Sequence, residues 1–263
     1  MACGPAPTAQ SITTAPSAIP AAIPNSTPAK PQQAQPLQTT WANKYAFETK
    51  SLNWKADYEL SAEYPEFSVR FAKLRRFNEW IKKRVLGHAA RFRRLAEAER
   101  HGGKRKIPPI EQGLALTFTM YYSDSNLISL RLTHRVMEAG QMHPINYYET
   151  INYDLQRGRP LRVDEVFKWG YLKELSTFSR NYLTETYELA ADDWVRAGTA
   201  PRRANFSNWN LVPDGVLLSF EDYQVNAHSF GQPEFVVPFS SLQGVIRRNS
   251  IADRLMAGRN PIN

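Results

Sequence analysis

Cysteine is almost missing from this 263-residue chain: there is one, at position 3. A body without cysteine builds no disulfide and no thiolate metal site, whatever its compartment. Long apolar runs are missing as well. No stretch approaches the ~18 residues needed to cross a bilayer, so the body is expected to be soluble. There is no G-x-S-x-G, no phosphate-binding glycine loop and no H-E-x-x-H, which removes the commonest hydrolase, nucleotidase and metalloprotease readings. Gly102-Gly103 follows a helical pattern instead of opening one, so it is not a phosphate cradle. Between residues 4 and 40 there is no aromatic and no acidic residue, and Lys30 is the only charge.

What that segment does contain is 8 prolines among Ala, Thr, Ser and Gln. It cannot bury enough apolar area to offset its ordering entropy, so an extended spacer is expected. Its reach would be roughly 110 Å as polyproline II and about 35 Å as a coil. Ala2-Cys3-Gly4 resembles the processing junction of a bacterial lipoprotein, where the cysteine is lipidated; an incidental cysteine at a cytosolic start is the plainer alternative. A lone cysteine followed directly by a long spacer favours the tether. Stable attachment would need more than one acyl chain.

The formal charge of +8 is unevenly placed. Residues 41–110 hold 17 Lys and Arg against 8 Asp and Glu, whereas residues 111–263 hold 15 against 17. Within the basic segment, Trp54, Ala56, Tyr58 and Leu60 alternate with polar residues, as in a half-buried strand. After Pro65 comes a helical stripe of Phe67, Phe71, Leu74, Asn78, Ile81, Val85, His88, Phe92 and Leu95, widened by Phe77 and Trp80. Arg75, Arg76, Lys82 and Lys83 lie on the opposite face, and Lys104-Arg105-Lys106 follows the helix in a loop. Leu114–Tyr122, Leu127–Met137 and Asn146–Leu155 alternate as strands. Asp164 is the expected N-cap of a helix running to about Leu189. Residues 192–210 read as irregular, and Asp214-Gly215 as a turn before a strand at Val216–Phe220. Short strands at Val225 and Phe235–Phe239, a helix at Ser240–Arg247 and a frayed tail complete the reading. The expected fold is α+β, with mainly antiparallel sheets and two long helices, in two small lobes packed together. The corresponding division is a tether at 1–40, a smaller basic lobe at 41–110, a second domain at 111–250 and a tail at 251–263.

Two stretches carry a resemblance. The first runs Gly140-Gln141-Met142-His143-Pro144, then Tyr147-Tyr148 and Asn152-Tyr153-Asp154-Leu155, with Gly158 and Asp164-Glu165-Val166-Phe167 after it. The second is Phe220 to Gly231, with Tyr223, Val225 and His228, followed by Pro238 and Leu242. Together they resemble the extracytoplasmic domain shared by RsiV-type anti-sigma factors and the non-catalytic region of PdaC-type peptidoglycan deacetylases. The similarity covers about residues 50–247. Gln141-Met142 depart from the Gly-Ala often found at that turn. Membership would imply an extracytoplasmic, commonly membrane-tethered protein. RsiV-type domains bind lysozyme as a protein ligand, and the deacetylases carry their catalysis in a separate domain, so no hydrolytic residues are inherited.

His143 and His228 are the obvious chemical candidates. With Glu149, Asp154 or Asp222 they could ligate zinc, but they lie 85 residues apart in no metal-binding pattern, and turn histidines are the simpler account. No metal and no cofactor is therefore expected. The basic helix face is by default solvated. If functional, it would meet an anionic partner such as lipid headgroups or an acidic protein, not nucleic acid, because its aromatics fall on the apolar stripe. The expected ligand-contacting residues are His143, Tyr147, Tyr148, Tyr223, His228, Arg75, Arg76, Lys82 and Lys83, and Cys3 is the lipidation site. The functional expectation is a periplasmic lipoprotein, anchored by its lipid to the outer membrane, that binds a protein or peptidoglycan fragment. One version is an inhibitor, immunity protein or sensor for a lysozyme-like muramidase. The alternative is an enzyme acting on peptidoglycan or another envelope polymer.

Overall fold

A computed structural model of the chain describes residues 41–55, 57–102, 112–187, 189 and 192–258. Cys3, the spacer and Lys104-Arg105-Lys106 lie outside the described residues. Strands β1 (Phe47–Lys55) and β2 (Glu59–Phe67) form an antiparallel hairpin, and helix α1 (Ala72–Gly102) follows. Then come β3 (Gly113–Ser123), β4 (Leu127–Met137), β5 (Ile145–Asp154) and the two-residue β6 (Arg159–Pro160). These six strands make one sheet in sequence order, antiparallel except where β2 runs parallel to β3. That pairing joins segment 41–110 to segment 111–250 within a single sheet.

Helix α1 lies across one face of the sheet. Leu74, Phe77, Ile81 and Val85 pack onto Leu116 of β3, Ile128, Leu130 and Leu132 of β4, and Ile151 and Tyr153 of β5. The buried stripe continues through Ala89 and Ala96, whereas Phe71 and Leu95 are half exposed, so the apolar face turns slightly from the one read in the sequence. Asn78 is a buried exception with a clear purpose. Its amide accepts from Phe67 N at 3.0 Å and donates to Phe67 O at 2.8 Å, closing the end of β2 as a neighbouring strand would. Pro65 was expected to precede the helix but sits inside β2, opposite Thr49. It is tolerated because β3 pairs only with Glu59–Ala62, leaving the Pro65 edge of β2 without a ladder to complete.

The opposite face of the sheet carries a second layer. Strands β7 (Trp209–Val212), β8 (Gly215–Ser219) and β9 (Glu234–Pro238) form an antiparallel meander. The two sheets are joined by buried amides. Asn210 Nδ2 donates to Ser129 Oγ at 3.0 Å and Leu130 O at 2.9 Å, while Asn152 Oδ1 accepts from Leu211 N at 2.6 Å. The Asn152-Tyr153-Asp154-Leu155 motif thereby resolves into four tasks. Asn152 bolts the sheets, Tyr153 fills the core beneath α1, Asp154 accepts from Gln156 N and Arg157 N to shape the next turn, and Leu155 is buried.

The helices behind the small sheet correct several expectations. The helix expected from Asp164 to Leu189 is broken into α2 (Val163–Val166) and α3 (Tyr171–Glu185). Phe167 leaves the helix to form an extended bridge with Ile246, and Gly170 takes φ 94°, which favours glycine. The N-cap position of α2 is Arg162, not Asp164. Residues 192–210 are more regular than expected. Asp192 accepts from Trp194 N and Val195 N to start α4 (Asp193–Gly198), and β7 begins at Trp209. Val225 is buried in a turn, not a strand, and the Ser240–Arg247 helix shrinks to a 3₁₀ turn at Phe239–Ser241. The helix lies in the supposed tail instead: α5 (Ile251–Ala257), capped by Ser250, buries Ile251 and Ala252.

Glu165 supports the α2 corner. It accepts from Arg162 N at 2.8 Å, Arg159 Nη2 at 2.6 Å and Arg157 Nη1 at 2.6 Å. The Arg159 hydrogen bond, above all, holds its pKa down to about 2 from an ordinary 4.5, against the opposing pull of desolvation. A depressed carboxyl stabilises the fold above its unfolded pKa, and the contribution is lost as pH falls through the folded value. Between pH 4.5 and 2, Glu165→Gln should therefore flatten the acid dependence of the urea midpoint relative to wild type. Parallel curves for the two proteins would remove Glu165 as a source of acid sensitivity.

Candidate functional site

His143 precedes β5, and Tyr223 and His228 belong to the loop between β8 and β9. The fold brings the three together on the β7–β9 side of the large sheet. The His143 and His228 rings stack at 4.8 Å, 11° from parallel, and Tyr223 stacks on His228 at 5.9 Å. The Tyr223 hydroxyl lies 3.4 Å from His143 Nε2. All three side chains are exposed, and Met142 beside them is 98% exposed. Asp222 sits behind the stack, bonded to His228 Nδ1 at 3.0 Å and accepting from Asn146 N at 3.1 Å.

The loop that presents Tyr223 is tightly pinned. Tyr223 has φ 64°, a left-handed conformation costly for a tyrosine. Gln224 donates to Gly198 O at 3.1 Å and Asn205 O at 2.9 Å, and Trp194 Nε1 donates to Tyr223 O at 2.7 Å. Gly198 must be glycine, since a Cβ there would fall 2.0 Å from Gln224 O. Trp194 is 41% exposed and extends the aromatic face, a residue that a segment read as irregular did not reveal.

Tyr148, adjacent on β5, supports this face from beneath. Its backbone N donates to Glu221, its hydroxyl bonds Gln232, and the Arg131 guanidinium lies 4.0 Å over its ring. Arg131 in turn pairs with Glu234 at 3.0 Å, and Tyr121 donates to the same carboxylate. Burial, above all, pushes the Tyr148 phenol up to about 12 and raises Tyr121 further, so both remain neutral hydrogen-bond donors.

The other expected contact residues are not brought here. Tyr147 alternates to the opposite face of β5, where it lines a cavity under α1. Arg75, Arg76, Lys82 and Lys83 are exposed on α1, away from its packed stripe of Leu74, Phe77, Ile81 and Val85, and none of them contributes to the stack.

A second cluster lies under α1, and sequence spacing did not suggest it. His88 of α1, His134 of β4 and Glu149 of β5 place one ligating atom each within 4.8 Å of the others. Glu149 Oε2 is 2.8 Å from His88 Nε2 and 3.8 Å from His134 Nε2, while Arg84 Nε donates to Oε1 at 2.7 Å. Burial raises the Glu149 pKa, but hydrogen bonds from His134, His88 and Arg84 outweigh it and hold the carboxyl well below the usual range. Among the described residues this is the group able to hold a metal, and it is not the His143–His228 pair weighed from the sequence.

Residues 164–240 match DUF3298, a family described as proteins of unknown function. The match covers 77 of the 263 residues. The match takes in the Tyr223–Gly231 loop but begins after the Asn152–Leu155 strand. A stretch of 115 residues is 32% identical to peptidoglycan-N-acetylmuramic acid deacetylase PdaC of Bacillus subtilis strain 168. That alignment takes 43% of this chain and 25% of the deacetylase, so the chain spans about a quarter of that relative. Two solved DUF3298 proteins share the fold. One, from Bacteroides fragilis, aligns with TM-score 0.55 and 19% identity over 82% of this chain and 100% of its own. Another, from Pseudomonas aeruginosa PAO1, aligns with TM-score 0.50 and 16% identity over 78% of this chain and 96% of its own. Both structural alignments extend well beyond the 77 residues of the DUF3298 match. No helix among the described residues is long and apolar enough to cross a membrane.

Proposed function

We propose that this chain is an extracytoplasmic binding module, tethered to the bacterial envelope through Cys3, whose contact face is the His143–Tyr223–His228 stack. The observation that carries the reading is convergence. Two segments some 80 residues apart each contribute rings to one exposed stack, on a loop held in a costly backbone conformation. Exposed, rigid aromatic side chains over a buried polar network are the chemistry of binding hot spots. Backbone strain persists where the surroundings enforce it, and it clusters at functional sites.

The ligand class is a protein or a cell-wall fragment. The deacetylase relative, by its name, acts on peptidoglycan, which supports an envelope setting. A muramidase of the lysozyme type is the specific partner we favour. Such enzymes are mostly basic, and residues 111–263, with 15 Lys and Arg against 17 Asp and Glu, repel them less than the basic α1 face does. An enzyme acting on peptidoglycan is the second reading, favoured by His228 backed by Asp222, an arrangement that orients an imidazole for proton transfer.

The test uses Tyr223→Gly. Glycine accepts φ 64° freely, which recovers roughly 1–2 kcal/mol of left-handed strain, partly offset by about 0.5–1 kcal/mol of extra unfolded-chain entropy. Stability should stay within about 1 kcal/mol of wild type, while affinity for an immobilised lysozyme-type muramidase should fall by roughly 30-fold, the cost of losing a hot spot. Wild-type affinity in Tyr223→Gly would reject the face. Hydrolysis of purified peptidoglycan by wild type, abolished in His228→Ala, would favour the enzyme instead.

A further inference from the structure

We infer that His88, His134 and Glu149 form a binding site for a zinc-class divalent cation beneath α1, with its open coordination side facing a cavity between α1 and the large sheet. This assignment is independent of the proposed contact face and shares no residue with it.

The first support comes from where the three residues stand. On α1 the buried stripe reads Ile81, Val85, His88, Phe92; on β4 the row facing α1 reads Leu130, Leu132, His134, Val136; on β5, Glu149 lies two residues before Ile151 on the same face. Each element therefore replaces an apolar side chain with a metal-ligating one at the margin of the core, where the three side chains remain 16–22% exposed. Polar groups removed even partly from water cost free energy unless they are satisfied, and three such replacements converge on one point here.

The second support is the direction of the donor atoms. Both imidazoles aim Nε2 at the same carboxylate oxygen, from 2.8 and 3.8 Å. In a tetrahedral zinc site with bonds of about 2.0–2.2 Å, neighbouring ligand atoms lie roughly 3.3–3.5 Å apart; the two carboxylate–imidazole separations are each within about 0.7 Å of that, and the two imidazole nitrogens, within 4.8 Å of each other, must close by up to about 1.4 Å. Arg84 holds the other oxygen, Oε1, at 2.7 Å, leaving Oε2 as the ligand and fixing its orientation. Two histidines and a glutamate are three ligands, the number that leaves zinc a fourth position for an exogenous group.

The third support is that such a position has somewhere to point. His88 and His134 both line a cavity of about 570 Å³, with Phe92, Leu114 and Val136 as apolar wall and Tyr147 and Gln112 as polar contributors. The matching occupant is a small molecule or chain end with a carboxylate or carbonyl oxygen for the metal and an apolar portion for the wall.

The full chain, stripped with chelator, is titrated with zinc alone, and in parallel with cobalt to read the visible spectrum. About one equivalent should bind per chain, with no thiolate-to-cobalt charge-transfer band, because Cys3 is no ligand. Zinc should also raise the melting temperature by mass action. Glu149→Gln, close in shape to the native residue, should lose affinity by more than the roughly 10- to 100-fold that removal of a merely supporting partner costs. His134→Ala should behave the same way should the glutamine variant fail to fold. His143→Ala must keep full stoichiometry. An apoprotein that takes up no zinc, or uptake lost in His143→Ala but kept in Glu149→Gln, overturns the assignment and leaves the cluster a hydrogen-bonded ion network.

Discussion

Replacing Arg131 with methionine is expected to destabilise the fold by about 3–5 kcal/mol, the range seen when one partner of a buried ion pair is removed. Arg131 reaches from β4 into the space between the sheets, where its side chain is 12% exposed and that of Glu234 17%. Its guanidinium donates to Glu234 at 3.0 Å and Ser219 at 3.1 Å, and it covers the Tyr148 ring. Without it, the Glu234 carboxylate stays buried against two neutral phenol-bearing side chains, with no cation to offset its desolvation. The double variant Arg131→Met/Glu234→Met removes both charges and should recover more than half of the loss, since the charge left alone is the main cost. Urea unfolding of wild type, both single variants and the double variant closes the cycle. A single-variant cost under about 1 kcal/mol would place this pair with exposed salt bridges and detach it from the support of the His143 face.

The parts of the fold that were legible in sequence are those whose periodicity is enforced by one-sided burial. β3, β4 and β5 alternate because one face meets α1 and the other the small sheet, and α1 shows a long stripe because it lies on a sheet along its length. The failures have local causes. Pro65 reads as a break, but one edge of β2 is unpaired just there. The α2–α3 corner looks continuous because Val166, Phe167, Leu172 and Leu175 keep helical spacing, although Gly170 and the Phe167–Ile246 bridge interrupt it. α5 was missed even though Ser250-Ile251-Ala252-Asp253 is a helix-start pattern, because nothing local signals that Ile251 will be buried.

The candidate sites were legible in unequal measure. His143, Tyr223 and His228 stood out as ring-bearing residues at turns, and only the fold could place loops 80 residues apart against each other. Tyr147 and Tyr148 are neighbours in sequence and were grouped together, but strand alternation sends them to opposite faces, one to the cavity under α1 and the other beneath the stack. His88 reads in sequence as part of the helical stripe, and Glu149 as one of the carboxylates that could join His143 and His228. Their meeting with His134 depends on how α1 docks on β4 and β5, information that spacing within one element does not contain.

That docking leads to the other large effect. Phe77→Ala should cost about 3–5 kcal/mol, as expected for deleting a fully buried phenyl ring from a packed core. Phe77 has no exposed surface and meets Tyr153 edge-on at 5.1 Å and Phe67 at 5.6 Å, so it pins α1 to both β5 and the end of β2. Neighbouring rings are held by the sheet and by Asn78, so they cannot collapse into the space, and the residual cavity adds to the lost transfer energy. Tyr153→Phe is the informative contrast. The Tyr153 hydroxyl is buried with no hydrogen-bond partner among the described residues, so deleting it should be neutral or mildly stabilising. The ring, not the hydroxyl, is then what the Asn152-Tyr153-Asp154-Leu155 strand needs at that position. Because His88 rides on the same helix three turns further on, the register lost in Phe77→Ala should also loosen the approach of His88 to Glu149, now 2.8 Å. Thermal unfolding with and without zinc separates the two consequences. A large loss of stability with an undiminished zinc-induced rise in melting temperature would show that α1 keeps its register through Ile81 and Val85 alone, and that Phe77 fills the core without setting the geometry of the cluster.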